Sequence, residues 1–118
     1  MKSCNEKTII QAEGLSRYYQ AGGEVVKALD HVTFSVKRGG FTALVGTSGS
    51  GKSTLLNLVG TLDRPTAGDI LIEGQSLAKA TEQQRIMHRR ERVGFIFQSF
   101  NLIPTLSAAE NVEVPMML

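Results

Sequence analysis

The residues best suited to chemistry lie in one short loop. Residues 46–53 read GTSGSGKS, which fits the pattern G-x-x-x-x-G-K-[ST] of a phosphate-binding loop. Its glycines, Gly46, Gly49 and Gly51, permit the positive φ angles and the close backbone approach that such a loop needs. Successive backbone N–H groups then form a concave anion site. The loop therefore predicts binding of the phosphate chain of a nucleotide.

Side chains within and just after the loop are expected to complete this site. Lys52 is expected to reach the β- and γ-phosphates as a point charge, and the Ser53 hydroxyl is expected on Mg²⁺. Thr54 adds a contact to the α-phosphate. The other members of the predicted site are Thr47, Ser48 and Ser50. A glycine-serine turn with no ligand is the alternative interpretation of the same residues.

A strand and a helix are predicted on either side of the loop. Residues 41–46 form a nearly continuous apolar run, which is typical of a strand covered on both faces. After the loop, Leu55, Leu58, Val59 and Leu62 recur at helical spacing and predict one apolar face. The helix is expected to begin near Gly51, so that its partly positive N-terminus adds to the anion site.

Further strands are predicted before and after this unit. Residues 8–19 predict a strand that runs into a loop, and residues 21–30 predict a glycine turn followed by a short second strand. Apolar and polar residues alternate over 32–36, which indicates a half-buried strand. Residues 69–74 and 93–98 predict two more strands. The predicted fold class is therefore α/β, a parallel core with an antiparallel portion formed by the N-terminal strands.

Two helix starts are marked by their first residues. Thr81 with Gln84, and Ser107 with Glu110, have the spacing of capping boxes, in which a hydroxyl and a carboxyl or amide side chain satisfy backbone N–H groups reciprocally. Pro115 is expected to disturb the helix that follows Ser107.

Composition limits the classes of function. The chain has 118 residues with 42% hydrophobic residues and a net charge of +2, too small a charge to indicate nucleic acid or a membrane surface. Cys4 is the one cysteine, so no intramolecular disulfide can form and a reducing compartment is expected. No stretch reaches the roughly 18 apolar residues of a membrane span.

The basic run over 85–92 is interpreted as the solvated face of a short helix.

Two separated segments carry a resemblance to a known family. Residues 46–77, GTSGSGKSTLLNLVGTLDRPTAGDILIEGQSL, and residues 93–116, VGFIFQSFNLIPTLSAAENVEVPM, resemble ATP-binding subunits of ABC transporters in order and spacing. The chain closely resembles the bacterial subgroup that serves lipoprotein release, macrolide and peptide export, and related permeases. It implies ATP and Mg²⁺ as ligands. It also implies a P-loop NTPase core over residues 1–98 and the start of a helical subdomain over residues 99–118.

The resemblance implies roles for two residues outside the loop. Tyr19 stands where the family places an aromatic side chain that stacks on adenine, although Tyr18 and Tyr19 are also consistent with simple packing at a strand end. Gln98 stands where the family places a glutamine that reaches Mg²⁺ and the attacking water. The residues after Gln98 match the segment that docks on the membrane subunit, and their apolar side chains are consistent with an interface or a core.

Partners and location follow from the same resemblance. It implies a separate transmembrane permease subunit, a second ATPase subunit that forms a dimer, and a cytoplasmic position at the inner face of the membrane, with no nucleic acid beyond the nucleotide. The acidic strand end, the glutamate general base and the LSGGQ signature of the family do not occur in these 118 residues, so no catalytic residue is assigned.

These observations leave two functional hypotheses. In the first, the chain is the N-terminal part of an ABC ATPase subunit that powers export or lipoprotein release. In the second, it is a truncated, non-hydrolysing nucleotide-binding module. A GTPase or small-molecule kinase is disfavoured because no Asn-Lys-x-Asp motif occurs.

Overall fold

The computed structural model describes residues 8–97, 99 and 101–117. Cys4 and Gln98 lie outside the described residues. The described elements, in chain order, are β1 (Thr8–Ala21), β2 (Glu24–Lys37), α1 (Lys52–Val59), β3 (Ala67–Ile72), β4 (Gln75–Ser76), α2 (Glu82–Arg92), α3 (Ala108–Glu113) and a 3₁₀ helix (Val114–Met117).

The described strands form one antiparallel sheet in the order β2-β1-β3-β4. β1 lies in the centre, where Ala12 pairs with Phe34 of β2 and with Ile70 of β3. The antiparallel portion predicted for the N-terminal strands is therefore confirmed. No parallel pair occurs among the described residues.

β2 is longer than predicted. The glycine turn predicted at the start of 21–30 is confirmed at Gly22 and Gly23. The prediction of two separate strands after it, a short one up to Asp30 and another over 32–36, is wrong, because β2 is continuous over Glu24–Lys37. His31 has a φ of 53°, and its N–H donates a hydrogen bond to Ser16 Oγ at 2.9 Å. The register shifts at this point, so an irregularity of the bulge type keeps both halves in one strand.

The strands predicted at 41–46 and 93–98 are also wrong for the described residues. Residues 41–46 and 93–97 lie in no strand, and the side chains of Phe41 and Ile96 are fully exposed. An apolar run favours a strand covered on both faces, but a strand also needs a neighbour for its ladder hydrogen bonds. Neither segment is a hydrogen-bonded member of the described sheet.

The core joins α1 to one face of the sheet. Its buried members are Ala12, Leu15, Leu29, Leu55, Leu58, Ile70, Ile72 and Leu77. Leu55 and Leu58 bury as the helical spacing predicts, and Val59 packs against this cluster. Leu62 is 48% exposed, because α1 ends at Val59 and Thr61 takes a φ of 62°.

Both predicted capping boxes are confirmed. The Thr81 and Ser107 hydroxyls accept hydrogen bonds from the N–H groups of Gln84 and Glu110, and the Gln84 and Glu110 side chains accept hydrogen bonds from the backbone N–H groups of Thr81 and Ser107. Past Glu113 the chain tightens into the 3₁₀ helix that contains Pro115, which agrees with the predicted disturbance. Among the described helices, none combines the length and apolar character that a membrane crossing requires.

The interpretation of residues 85–92 as a solvated face is wrong for Arg85. This side chain is 5% exposed, and its Nη2 donates hydrogen bonds to the carbonyl oxygens of Thr61 at 2.7 Å and Asp63 at 3.1 Å. Arg89 Nη1 donates to the Thr61 carbonyl at 2.6 Å. These carbonyls follow the C-terminal end of α1, where a cation is favoured by the helix dipole. Arg90 is exposed, as the pattern predicts.

Candidate phosphate-binding site

The glycine loop turns directly into α1. Gly49 has a φ of 81° and Gly51 a φ of 97°, and Gly51 is the N-cap of α1, which begins at Lys52. The Ser50 N–H donates to the Thr47 carbonyl at 3.1 Å, closing a turn within the loop. Two left-handed glycines therefore aim the first N–H groups of α1 at the loop's concave side.

Close packing of neighbouring atoms explains why glycine is required at two positions of the loop. A methyl group on Gly51 would overlap the carbonyl oxygen of Ala28 and lie 3.1 Å from Leu29 Cδ2. A methyl group on Gly46 would collide with the Ser50 hydroxyl. Gly46 is not among the residues with positive φ, so its requirement is for space alone. The loop is thus packed against β2 on one side and folded on itself on the other.

Lys52 reaches back into the loop that precedes it. Its Nζ donates hydrogen bonds to the carbonyl oxygens of Gly46 at 2.6 Å and Thr47 at 2.8 Å, and lies 3.3 Å from Ser50 Oγ. The ammonium group is therefore held in the concavity of the loop. An anion that settles over the loop meets this charge at short range, which strengthens its hydrogen bonds.

A groove of about 650 Å³ opens beside the loop. The described residues that line it are Val26, Lys27, Ala28, Ser48, Gly49, Gly51, Lys52, Ser53 and Thr54. Most of the predicted phosphate site thus shares one groove. Gly46, Thr47 and Ser50 are not in its described lining, but each contacts Lys52 Nζ. This described lining contains two lysines and no carboxylate, so its charge suits an anion.

The β2 wall of the groove was missed from the sequence. Val26, Lys27 and Ala28 reach the loop because β2 passes beside Gly51, which contacts Ala28 and Leu29. No local pattern in residues 26–28 marks them as part of a site. They are found only once the hairpin register and the path of the loop are known.

Tyr19 lies beside this wall and not in the described lining. It pairs with Val26 across the β1–β2 hairpin, and paired residues present their side chains on the same face of a sheet. The Tyr19 hydroxyl donates to Asp63 Oδ2 at 2.9 Å, and the Arg17 guanidinium carbon lies 4.3 Å from the centre of the Tyr19 ring. Its role as the adenine-stacking residue remains a prediction.

Tyr18 makes a separate set of contacts. Its hydroxyl donates to Asp30 Oδ1 at 2.7 Å, and Lys27 Nζ lies 5.5 Å from the centre of its ring. The hydrogen bonds from Tyr18 and from His31 lower the pKa of Asp30. The two neighbouring tyrosines therefore have different side-chain partners, although both pair across the hairpin with groove residues, Tyr18 with Lys27 and Tyr19 with Val26.

The contacts of Asp63 favour its carboxylate form. Partial burial on its own acts to raise its pKa, but hydrogen bonds from the Arg64 N–H, the Tyr19 hydroxyl and Arg17 outweigh it and lower the pKa of Asp63 below its ordinary value. The carboxylate thus accepts from both Tyr19 and Arg17 at 2.9 Å.

Comparison with known proteins decides the family. The model of the ABC transporter family matches residues 29–117. The chain belongs to the ABC transporter family. The resemblance drawn from the loop and the 93–116 segment is therefore confirmed.

Relatives agree with this assignment. An uncharacterized ABC transporter ATP-binding protein of Mycobacterium tuberculosis is 46% identical over 114 residues, which are 97% of this chain and 46% of the relative. The macrolide export ATP-binding/permease protein MacB of Hyphomonas neptunium is 49% identical over 107 residues, which are 91% of this chain and 17% of MacB.

Solved structures give the same fold. The dimeric bacterial ABC transporter cassette MJ0796 superposes with a TM-score of 0.86 at 41% identity over 92% of this chain and 47% of the cassette. A post-hydrolysis state of the same cassette, bound to ADP and Pi, superposes equally well at 40% identity, over the same shares of the two chains. This chain therefore has the fold of an ABC ATPase cassette, over about half the length of that cassette and of the M. tuberculosis relative.

Proposed function

We propose that this chain binds Mg-ATP in the groove beside the glycine loop, as the ATP-binding component of an ABC transporter. The observation that carries the proposal is the position of Lys52, whose ammonium group is held inside the loop by the Gly46 and Thr47 carbonyls at the edge of the groove. The described lining is free of acidic side chains. Both features favour a polyanion.

Each part of the loop has a distinct task in this proposal. Backbone N–H groups of the loop and of the first turn of α1 bind the phosphate oxygens, and Lys52 neutralises the β- and γ-phosphates. The Ser53 hydroxyl is exposed on the first turn of α1 and lines the groove, which fits a ligand of Mg²⁺. When bound, Mg²⁺ neutralises charge on the phosphates. Gln98 is proposed as a second metal ligand from the family resemblance.

Assembly is proposed by analogy with the relatives. The MJ0796 cassette is dimeric, and MacB is named for both an ATP-binding and a permease function. We infer that residues 1–98 belong to the nucleotide-binding core of a dimer and that residues 99–118 begin a subdomain that contacts a membrane permease. Export or lipoprotein release from the inner face of the membrane is the proposed outcome.

Nucleotide binding is tested by removing the Lys52 charge. Displacement of a fluorescent ATP analogue from the purified chain measures affinity for Mg-ATP. Lys52→Ala is expected to weaken binding roughly ten- to a hundredfold, because charged hydrogen bonds contribute about 1.5–3 kcal/mol. Lys79→Ala is the matched control, since Lys79 is exposed and not part of the described groove lining. Equal affinity of the two variants would contradict the proposal.

Binding without appreciable turnover is expected for these residues alone. A general base must accept the proton of the attacking water, and the described lining of the groove provides hydroxyls, amides and ammonium groups but no carboxylate. Phosphate release by the purified chain is therefore expected near background. Release that disappears in Lys52→Ala would show turnover by this groove and contradict the expectation.

A further inference from the structure

Asp63 accepts hydrogen bonds from residues of both β1 and α2. Its Oδ2 atom accepts hydrogen bonds from Arg17 Nε and from the Tyr19 hydroxyl, both at 2.9 Å. Arg17 also lies over the Tyr19 ring, with 4.3 Å between the guanidinium carbon and the ring centre. The side chains of Arg17 and Asp63 are only 25% and 27% exposed. The three side chains thus form a closed triangle in which each one contacts the other two.

The backbone around Asp63 is fixed independently of this triangle. Its carbonyl oxygen accepts a hydrogen bond from the buried Arg85 at 3.1 Å. Thr66, three residues on, bonds to β1 twice, through its N–H to the Ser16 carbonyl at 2.8 Å and through its hydroxyl from the Tyr18 N–H at 2.9 Å. The carboxylate of Asp63 is therefore presented to Tyr19 from a rigid segment.

The residue whose ring this triangle holds lies across the hairpin from one wall of the groove. Tyr19 pairs with Val26, and Val26 lines the groove together with Lys52, Ser53 and Thr54. A tyrosine side chain has two free torsions, and ordering a side chain during binding weakens affinity. A ring whose hydroxyl and face are both held before the ligand arrives avoids most of this loss.

We propose that Asp63 and Arg17 are positioning residues that hold the Tyr19 ring in place beside the β2 wall of the groove, and so set how strongly the groove prefers a nucleotide with a base over a bare triphosphate. The inference rests on the proposed nucleotide function and on the predicted stacking of Tyr19 on the base. It adds two residues that act through Tyr19, from outside the groove itself.

The test measures separately what the base and the phosphates contribute to affinity. Affinities of the purified chain for ATP and for inorganic tripolyphosphate are measured by displacement of the same fluorescent nucleotide, and their ratio reports the contribution of the base. Asp63→Asn is expected to lower this ratio roughly fivefold, a part of the stacking free energy of a base on an aromatic ring. Affinity for tripolyphosphate is expected to stay unchanged.

Glu73→Gln is the matched control. Glu73 also pairs with an arginine at 2.9 Å, through Arg38, and its side chain is 30% exposed, but it has no described contact with Tyr19. It is expected to leave the ratio unchanged. Tyr19→Phe keeps the ring and removes its hydroxyl, so it is expected to reproduce Asp63→Asn, and the double variant is expected to be no worse than either single variant.

The outcomes are distinct. An unchanged ratio in Asp63→Asn, or an equal loss of affinity for ATP and tripolyphosphate, overturns the inference, since the second result marks a structural role only. Additive effects of Tyr19→Phe and Asp63→Asn also overturn it. Tripolyphosphate binding that does not depend on Lys52 overturns the proposed function instead, and the inference with it.

Discussion

Arg85 Nη2 donates a hydrogen bond to the carbonyl oxygen of Thr61 at 2.7 Å, from a side chain that is 5% exposed. Thr61 follows the C-terminal end of α1, and α1 begins at Lys52 of the phosphate loop. One buried cation therefore fixes α2 against the far end of the helix whose near end forms the candidate site. The position of α1 depends on this contact as well as on its apolar face.

Arg85→Met is expected to reduce the free energy of unfolding by about 1–3 kcal/mol. The Asp63 carbonyl loses its hydrogen bond from Arg85, and the Thr61 carbonyl keeps only the one from Arg89. Methionine keeps an unbranched, apolar stem of similar length. Arg90→Met is the control on the same helix, since Arg90 is exposed. Urea denaturation of both variants measures the difference, and a loss of stability as large in Arg90→Met would contradict the assignment.

Gly60→Ala is expected to destabilise the fold by about 1–3 kcal/mol through overpacking. A methyl group on Gly60 would overlap the ring of Phe95, which stacks on Phe97 with 5.4 Å between ring centres. Phe95→Leu is expected to remove part of the penalty. Thermal unfolding of the two single variants and of the double variant measures the interaction, and strictly additive effects would exclude this contact as the cause.

Stability is expected to fall as the pH drops below about 6.5, because of His88. Burial lowers the pKa of His88, and the charges of Arg92 and Arg89 act in the same direction, against opposing effects of the Val59 backbone and Glu73. The unfolded chain therefore takes up a proton at higher pH than the folded chain, so acidification favours unfolding.

His88→Gln is expected to flatten this pH dependence. The midpoint of thermal unfolding, measured at pH 7.5 and 5.5, gives the slope for each variant. His31→Asn is the control, because His31 is exposed on β2 and asparagine tolerates its φ of 53°. A slope that changes in His31→Asn and not in His88→Gln would locate the titrating group elsewhere.

Local chemistry explains which parts of the site were predictable. The glycine spacing, Lys52 and Ser53 mark the loop because a backbone anion site requires these residue types at these intervals. The start of α1 and both capping boxes follow from short-range hydrogen bonds for the same reason. Contacts between residues far apart in the chain are not indicated by any short sequence pattern. Val26 as a groove wall and Asp63 as a partner of Tyr19 depend on the hairpin register and on the path of the chain after α1.

The errors have a common physical origin. Residues 41–46 and 93–97 have the apolar composition of buried strands, but a strand is completed by a neighbour, and composition does not say where that neighbour is. From the sequence alone, Arg85 cannot be told apart from an exposed arginine of the same helix. Its burial becomes evident only from its hydrogen bonds to the carbonyls of Thr61 and Asp63. For the apolar segments and for Arg85 alike, the same local sequence pattern is compatible with a buried and with an exposed position.

Alanine substitutions at Gly49 and Gly51 distinguish the effect of backbone strain from that of steric overlap within the loop. Both have positive φ, but a methyl group on Gly49 meets nothing within 4 Å, whereas one on Gly51 overlaps the Ala28 carbonyl. Gly49→Ala is therefore expected to cost about 1 kcal/mol of stability from its φ alone, and Gly51→Ala about 3 kcal/mol or more once overpacking against β2 is added. Because this overlap pushes the first turn of α1 away from Lys27 and Ala28, Gly51→Ala is also expected to weaken tripolyphosphate binding more than Gly49→Ala does. Urea denaturation and nucleotide displacement on the two variants measure both effects, and equal losses would mean that contact with β2 does not shape the loop.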